Sequence, residues 1–480
     1  MKDLLLRALD TAVKRGASYA DVRLVETKIQ TLAVKDGRVE AVSSDESRGV
    51  GVRVIANGGW GFASSSRLTA AEMDVVAATA VRIALASSSV LREPATLGDP
   101  VRTVDSYRTP ILRDPFSVPI EEKLGVLVAA TEAMKAVKGI AVAEGDIEIV
   151  RTDKTFASTE GSYVEQTLYE TGCGIEATAV DGNDVQNRSY PNSVGRHQGT
   201  EGWEFVERYD LPGNASSIAE QAVALLKAKQ CPSGETTIIL DGSQTALQVH
   251  ESCGHPIELD RALGMEAAFA GTSFLTPDML GSFRYGSDQV TMTIDATLPG
   301  GLGTFGFDDE GVPAQRAEVV KDGIFVGYLT SRETAARLGQ QSNGAARASG
   351  WDRLPLIRMT NVNLEPGPWR LEDLIADTDD GIYMQTNRSW SIDDRRLNFQ
   401  FGTEIAWEIK SGKLGAMLKN ATYTGITPRF WAGCDAVCGG DEWTVWGTPN
   451  CGKGQPEQVG HVGHGAAPAR FRGVQVGVMR

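Results

Sequence analysis

No long hydrophobic run occurs in this chain of 480 residues. The most apolar stretch, 75–90, is interrupted by Arg82 and falls short of the roughly 20 apolar residues a membrane-spanning helix needs. Charges run through Met1-Lys2-Asp3-Leu4-Leu5-Leu6-Arg7-Ala8-Leu9-Asp10, which reads as an amphipathic helix rather than a signal peptide, so a cytoplasmic location is expected. Cysteine is sparse, six in all, too few for a disulfide scaffold and expected to be reduced. A basic stripe is also missing. Lys and Arg number 47 against 62 Asp and Glu, a net charge of −15, which argues against nucleic acid and an anionic membrane surface as partners. There is no phosphate-binding P-loop and no serine-hydrolase elbow. Gly301-Leu302-Gly303-Thr304-Phe305-Gly306 matches a dinucleotide fingerprint formally, but Phe307-Asp308-Asp309-Glu310-Gly311 follows where a helix should start.

What remains is an ordinary globular composition, 41% hydrophobic and 23% charged, long enough for two or three domains. Residues 3–15 carry Leu5, Leu9, Ala12 and Val13 at helical spacing. From 20 to 65 the pattern has period two, punctuated by Asp36-Gly37 and Asn57-Gly58-Gly59 as hairpin turns. A helix over 69–87 completes a helix–strands–helix unit. After a proline-bearing connector over 94–119 the order recurs, with a helix over 120–137, strands over 146–178 and a helix over 215–229. Most of 288–480 reads as short strands and Gly-rich turns. The expected fold is α+β: an N-terminal α/β domain over 1–95, a central α/β domain over 110–228 that could duplicate it, and a β-rich C-terminal domain over 230–480. That last domain should be mainly antiparallel, barrel-like, and carry a metal-bearing helix.

The chemistry concentrates in His250-Glu251-Ser252-Cys253-Gly254-His255. Imidazole is the commonest protein ligand for zinc, and a neighbouring Glu can act as general base on activated water. The spacing is one residue longer than H-E-x-x-H. In a regular helix at about 100° per residue, positions i and i+5 lie about 140° apart, so the rings would diverge. A one-residue bulge of π type removes the mismatch, and Gly254 is the residue expected to tolerate it. Asp241-Gly242-Ser243 supplies cap candidates for the helix. The competing reading is two unrelated surface histidines, but with five His in the chain a chance pair beside a Glu is improbable.

A catalytic zinc needs a third protein ligand and an open position. Glu266 and other acids lie downstream, and cysteines are more distinctive. Cys253 reads as packing. Cys434 and Cys438 could join His461 and His464 in a separate structural site, though the spacing is poor for one, and the ordinary alternative is two buried thiols and a solvated Gly/His tail. Cys451 sits among small residues that would leave its sulfur accessible, beside Lys453, which would favour a thiolate. Spacing alone does not bring it to the histidines.

The stretch from His250 through Glu258, Asp260, Arg261, Leu263 and Gly264 resembles the signature of the TldD/PmbA metallopeptidase family. So do 307–315 (FDDEGVPAQ), Arg358-Met359-Thr360-Asn361 and Cys451-Gly452-Lys453-Gly454-Gln455, and the first and last motifs resemble the metal-bearing TldD branch. The resemblance implies zinc, one per chain, held by His250, His255 and Cys451, with Glu251 as general base. It implies hydrolysis of peptides or unfolded polypeptide, and a dimer formed with a second copy or with a metal-free PmbA/TldE-type paralogue. His and thiolate ligation favours zinc over iron or manganese. The alternative class is a zinc-stabilised regulatory subunit, in keeping with the family's older description as a modulator of DNA gyrase.

Overall fold

The computed structural model describes residues 1–480 except 92, 194–196 and 478–480. The N-terminal half opens with α1 (Lys2–Lys14), whose Leu5, Ala8, Leu9 and Ala12 form the buried stripe. Strands β1 (Tyr19–Lys35), β2 (Arg38–Ala56) and β3 (Gly59–Ser65) follow, then α2 (Ala70–Ser88), capped by the Thr69 hydroxyl. Both hairpins close on two-residue loops with positive φ at each position: Asp36 (51°) and Gly37 (74°), then Asn57 (52°) and Gly58 (76°). That is the turn geometry whose twist matches the flanking strands.

After the short β4 (Val104–Arg108) the same order returns in α3 (Ile120–Ala136), β5 (Ile140–Ser158), β6 (Tyr163–Asp181) and β7 (Asp184–Tyr190). The minor β8 (Gln198–Gly199) and α4 (Glu204–Tyr209) precede α5 (Leu211–Lys227). The two units are fused through their first strands. β1 and β5 pair antiparallel from Asp21↔Ser158 to Lys35↔Glu144, so one sheet runs β3-β2-β1-β5-β6-β4, with β7 and β8 on β6.

Alternation along β1 sorts the faces of this sheet. Val22, Leu24, Leu32 and Val34 lie in cores with α1, α2, α3 and α5. The opposite face carries Asp21 and Arg23, which period-two reading would leave in solvent. Both are buried, because that face packs on the C-terminal half. Arg53 bridges Asp21 and Glu310 at 2.7 and 3.1 Å, and Asp309 takes Lys154 at 3.1 Å and Arg23 at 3.5 Å. Removing one partner of such a buried pair costs about 3–5 kcal/mol.

The C-terminal half is built on β10 (Gly234–Leu240), which follows β9 (Lys229–Gln230). It pairs parallel with Asp380–Ile392 and antiparallel with Ala469–Val476. Ala469–Val476 pairs Thr422–Ile426, which pairs Asn398–Lys410, which returns to Asp380–Ile392. The result is a closed ring of five strands, and closure is what removes edges from a sheet. Its aromatic core includes Phe399, Phe401, Tyr423, Phe430 and Phe471. Directly after β10 comes α6 (Gly242–Val249), and a separate hairpin, Thr444–Lys453 with Gln458–Ala466, lies over it. No described helix is long and apolar enough to cross a membrane.

Candidate metal centre

The Asp241 carboxylate caps α6 by accepting from the Gln244 N–H at 2.8 Å. The helix continues as one π turn over His250–Gly254, with the His255 N–H donating to the His250 carbonyl at 3.2 Å. This is the extra residue that the i, i+5 spacing demands, and it brings the two ring centroids to 4.9 Å. The expected reason for Gly254 was different: its φ is not positive. A Cβ there would meet Met359 Sδ at 2.3 Å, so the glycine admits a close neighbour.

Cys451, 196 residues from His255, reaches the same place from the hairpin, with Sγ 3.6 Å from His255 Nε2. Ligand atoms of His250, His255 and Cys451 all lie within 4.8 Å of one another. Two ligands on a tetrahedral zinc, one nitrogen at about 2.0–2.1 Å and one sulfur at about 2.3 Å, would sit about 3.5 Å apart, so the donor set fits that ion.

The protonation states fit as well. Burial holds the His255 imidazolium pKa down at about 4 and lowers that of His250, leaving both rings neutral. Burial pushes the Cys253, Cys434 and Cys438 thiols up to about 12 and Cys231 to about 11, and Cys173 is raised further. Cys451 alone is lowered: burial raises it, but Arg358 and His255 together outweigh that. The sulfur is not accessible, being 4% exposed. Nor does Lys453 activate it. Its ammonium is buried against Asp260 (2.7 Å), Glu258 (3.3 Å) and the Ile357 carbonyl, and the guanidinium of Arg358 takes the expected place, donating to the Cys451 carbonyl.

Each imidazole is oriented through Nδ1. Glu258 Oε2 lies 3.0 Å from His255 Nδ1, and Lys453 and His255 hold that carboxyl well below its usual range although burial opposes them. His250 Nδ1 lies 2.7 Å from His464 Nε2, and His464 Nδ1 lies 3.1 Å from the Val362 carbonyl. A carbonyl only accepts, so His464 carries its proton on Nδ1 and offers Nε2 as acceptor. His250 must then be protonated on Nδ1, and in both motif histidines Nε2 keeps its lone pair. The C-terminal Gly/His segment is thus no solvated tail: His464 is fully buried. Its neighbour on the strand, His461, turns the other way and pairs with Glu170 at 2.5 Å. Cys434 and Cys438 sit in different cores, and the described residues form one potential metal cluster. Glu251 is buried and accepts from Arg396 at 2.6 Å. Arg396 comes from a tight turn, with φ at 63°.

Three regions of the chain match family models: 20–84 as PmbA/TldA metallopeptidase domain 1, 113–230 as the central domain, and 233–477 as the C-terminal domain. The chain belongs to the PmbA/TldD metallopeptidase family. A protein of Methanocaldococcus jannaschii named a metalloprotease is 32% identical over 93% of this chain and 94% of its own length. A Saccharolobus solfataricus protein named a zinc metalloprotease TldD homolog is 21% identical over 88% and 89%. A Thermotoga maritima structure, described as a proposed modulator of a DNA gyrase, superposes with a TM-score of 0.78 at 18% identity over 99% and 100%. The PmbA/TldD fold is therefore the fold of this chain.

His464 and Arg396 were invisible to sequence reasoning as parts of the centre, and Arg358 stood out only within a family motif, without a role. The one available signal was compositional, since His250, His255 and His464 are three of only five histidines.

Proposed function

We propose that the protein is a zinc-dependent peptidase acting on peptides or unfolded polypeptide, with one zinc held by His250, His255 and Cys451. The observation that carries this reading is the convergence of two neutral imidazoles and the one thiol of lowered pKa. Zinc bound there supplies Lewis acidity toward a scissile carbonyl and toward water. Glu251 takes the proton of the attacking water at its carboxylate and returns it to the leaving amine. Arg396 fixes the direction of that carboxylate, and Glu258 and His464 hold the two imidazoles with their lone pairs inward. The family resemblance adds a dimeric assembly, with a second copy or a metal-free PmbA/TldE-type paralogue.

The alternative, a zinc-stabilised regulatory subunit, gives Glu251 and its arginine no task, and the net charge of −15 disfavours contact with DNA. The test is zinc-loaded protein incubated with a peptide library and read by mass spectrometry. Cleavage that a chelator abolishes is expected; an intact library with full zinc occupancy overturns the reading.

A further inference from the structure

A cavity of ≈ 380 Å³ lies between the C-terminal half and the face of the N-terminal sheet that carries Asp21 and Arg23. Its sheet wall includes Ile29, Val150 and Leu168, and Phe305 faces them from the other half. It is separate from the metal cluster in one definite sense. His461 lines it and His464 touches His250, and residues three apart on one strand project to opposite faces of the hairpin.

Two guanidiniums line this cavity, and neither is paired with a carboxylate among the described residues. Arg358 donates to the carbonyls of Gln458 and Cys451, and Arg347 to those of Met359 and His461. Both have an Nε that is buried without a hydrogen-bond partner. Arg358 is 2% exposed. Of the other charges on the walls, Glu170 pairs with His461 and Lys154 with Asp309, while Glu148 stands on the sheet wall. Burial and the repulsion of Arg358 pull Arg347 down to about 10, against the opposing pull of Asp309 and Glu170, neither of which is in ion-pair contact with it. Two guanidiniums, one buried and one half-buried, that no carboxylate pairs among the described residues and that stand beside an apolar chamber make a site for a carboxylate with an apolar body, because guanidinium presents the fork that carboxylate oxygens accept.

We propose that this cavity binds the C-terminal carboxylate of a short apolar peptide at Arg347 and Arg358, with its side chains against Ile29, Val150, Leu168 and Phe305. That the carboxylate belongs to a peptide rests on the peptidase reading; that the site takes a carboxylate does not.

The experiment is isothermal titration calorimetry with N-acetyl-Leu-Leu and its C-terminal amide, on zinc-loaded and zinc-free protein. The acid should bind at least tenfold more tightly than the amide in both forms. Arg347→Met should abolish the difference while leaving zinc content unchanged. Thr152→Glu, on the sheet wall, should do the same by placing a like charge in the chamber without touching the bonds of either arginine. Equal binding of acid and amide overturns the proposal. So does acid binding that vanishes with the zinc and ignores both substitutions, since the carboxylate would then be on the metal. Because the zinc-free arm needs no turnover, a failure of the peptidase reading leaves this result legible.

Discussion

His250 Nδ1 and His464 Nε2 meet at 2.7 Å across 214 residues of chain, and the Val362 carbonyl behind His464 decides which of the two carries the proton between them. A third histidine thus sets the tautomer of the first without being a ligand. Replacing such an orienting partner typically lowers metal affinity about 10–100-fold. His464→Ala should therefore weaken zinc binding within that range in a chelator competition, with secondary structure retained. Unchanged affinity would remove His464 from the centre.

Glu251→Gln should keep one zinc per chain by elemental analysis and lose peptide hydrolysis by about 10²-fold or more. The amide preserves shape and still accepts from Arg396, but takes no proton. Loss of zinc in this variant would instead make Glu251 a ligand.

Cys451→Ser should lose zinc and activity together, whereas Cys253→Ser, Cys434→Ser and the double Cys434→Ser/Cys438→Ser protein should retain one zinc. Two zinc ions per wild-type chain, halved in the double variant, would show a second site that this structure does not assemble.

Above the pKa of His255 and below the lowered pKa of the Cys451 thiol, zinc affinity should fall about tenfold per unit of acidification, the dependence of a single proton. The sign follows from the free site. His255, with its pKa near 4, is already neutral over that range, and the lowered Cys451 thiol is the donor that must still give up a proton. A dependence of two or three protons would mean that the imidazoles are charged in the zinc-free protein.

Asp146 is half-buried with its Oδ1 buried and unpartnered, and burial, helped by Glu148, raises its pKa to about 7. The folded state holds that proton and the unfolded state releases it near pH 4, so its share of stability is full below about pH 4 and lost as pH rises through 7. Asp146→Asn should stabilise the fold at pH 8, by at most about 4 kcal/mol and with a raised melting temperature, and change little at pH 4. Equal effects at both pH values would rule out titration of Asp146 as the cause.

Much of this was legible in the sequence because it is local. The Asp36-Gly37 and Asn57-Gly58 turns are fixed by residues that tolerate positive φ, and the π turn by a spacing that no regular helix satisfies. The Cys451 ligand assignment came through likeness to a family, not spacing. The parts that escaped depend on register between distant strands. Pairing Cys451 with Gly460 and Trp446 with His464 puts the thiol and the third imidazole on one face of the hairpin. A one-residue slip would exchange His464 for its neighbours, and nothing within the segment announces which register wins. Lys453 misled for the opposite reason. It is two residues from the thiol in sequence, yet its ammonium is drawn off by Asp260 and Glu258.

The strand Ala469–Val476 is inserted between Gly234–Leu240 and Thr422–Ile426, so the five-strand ring closes only when its latest member in the chain arrives. Contacts of such long separation are slow to form. While the chain is being made, His250 and Glu251 emerge well before Cys451, His464 and the strand that completes the ring beneath them. A growing polypeptide consequently carries no finished cluster of these side chains until synthesis has passed the last of them.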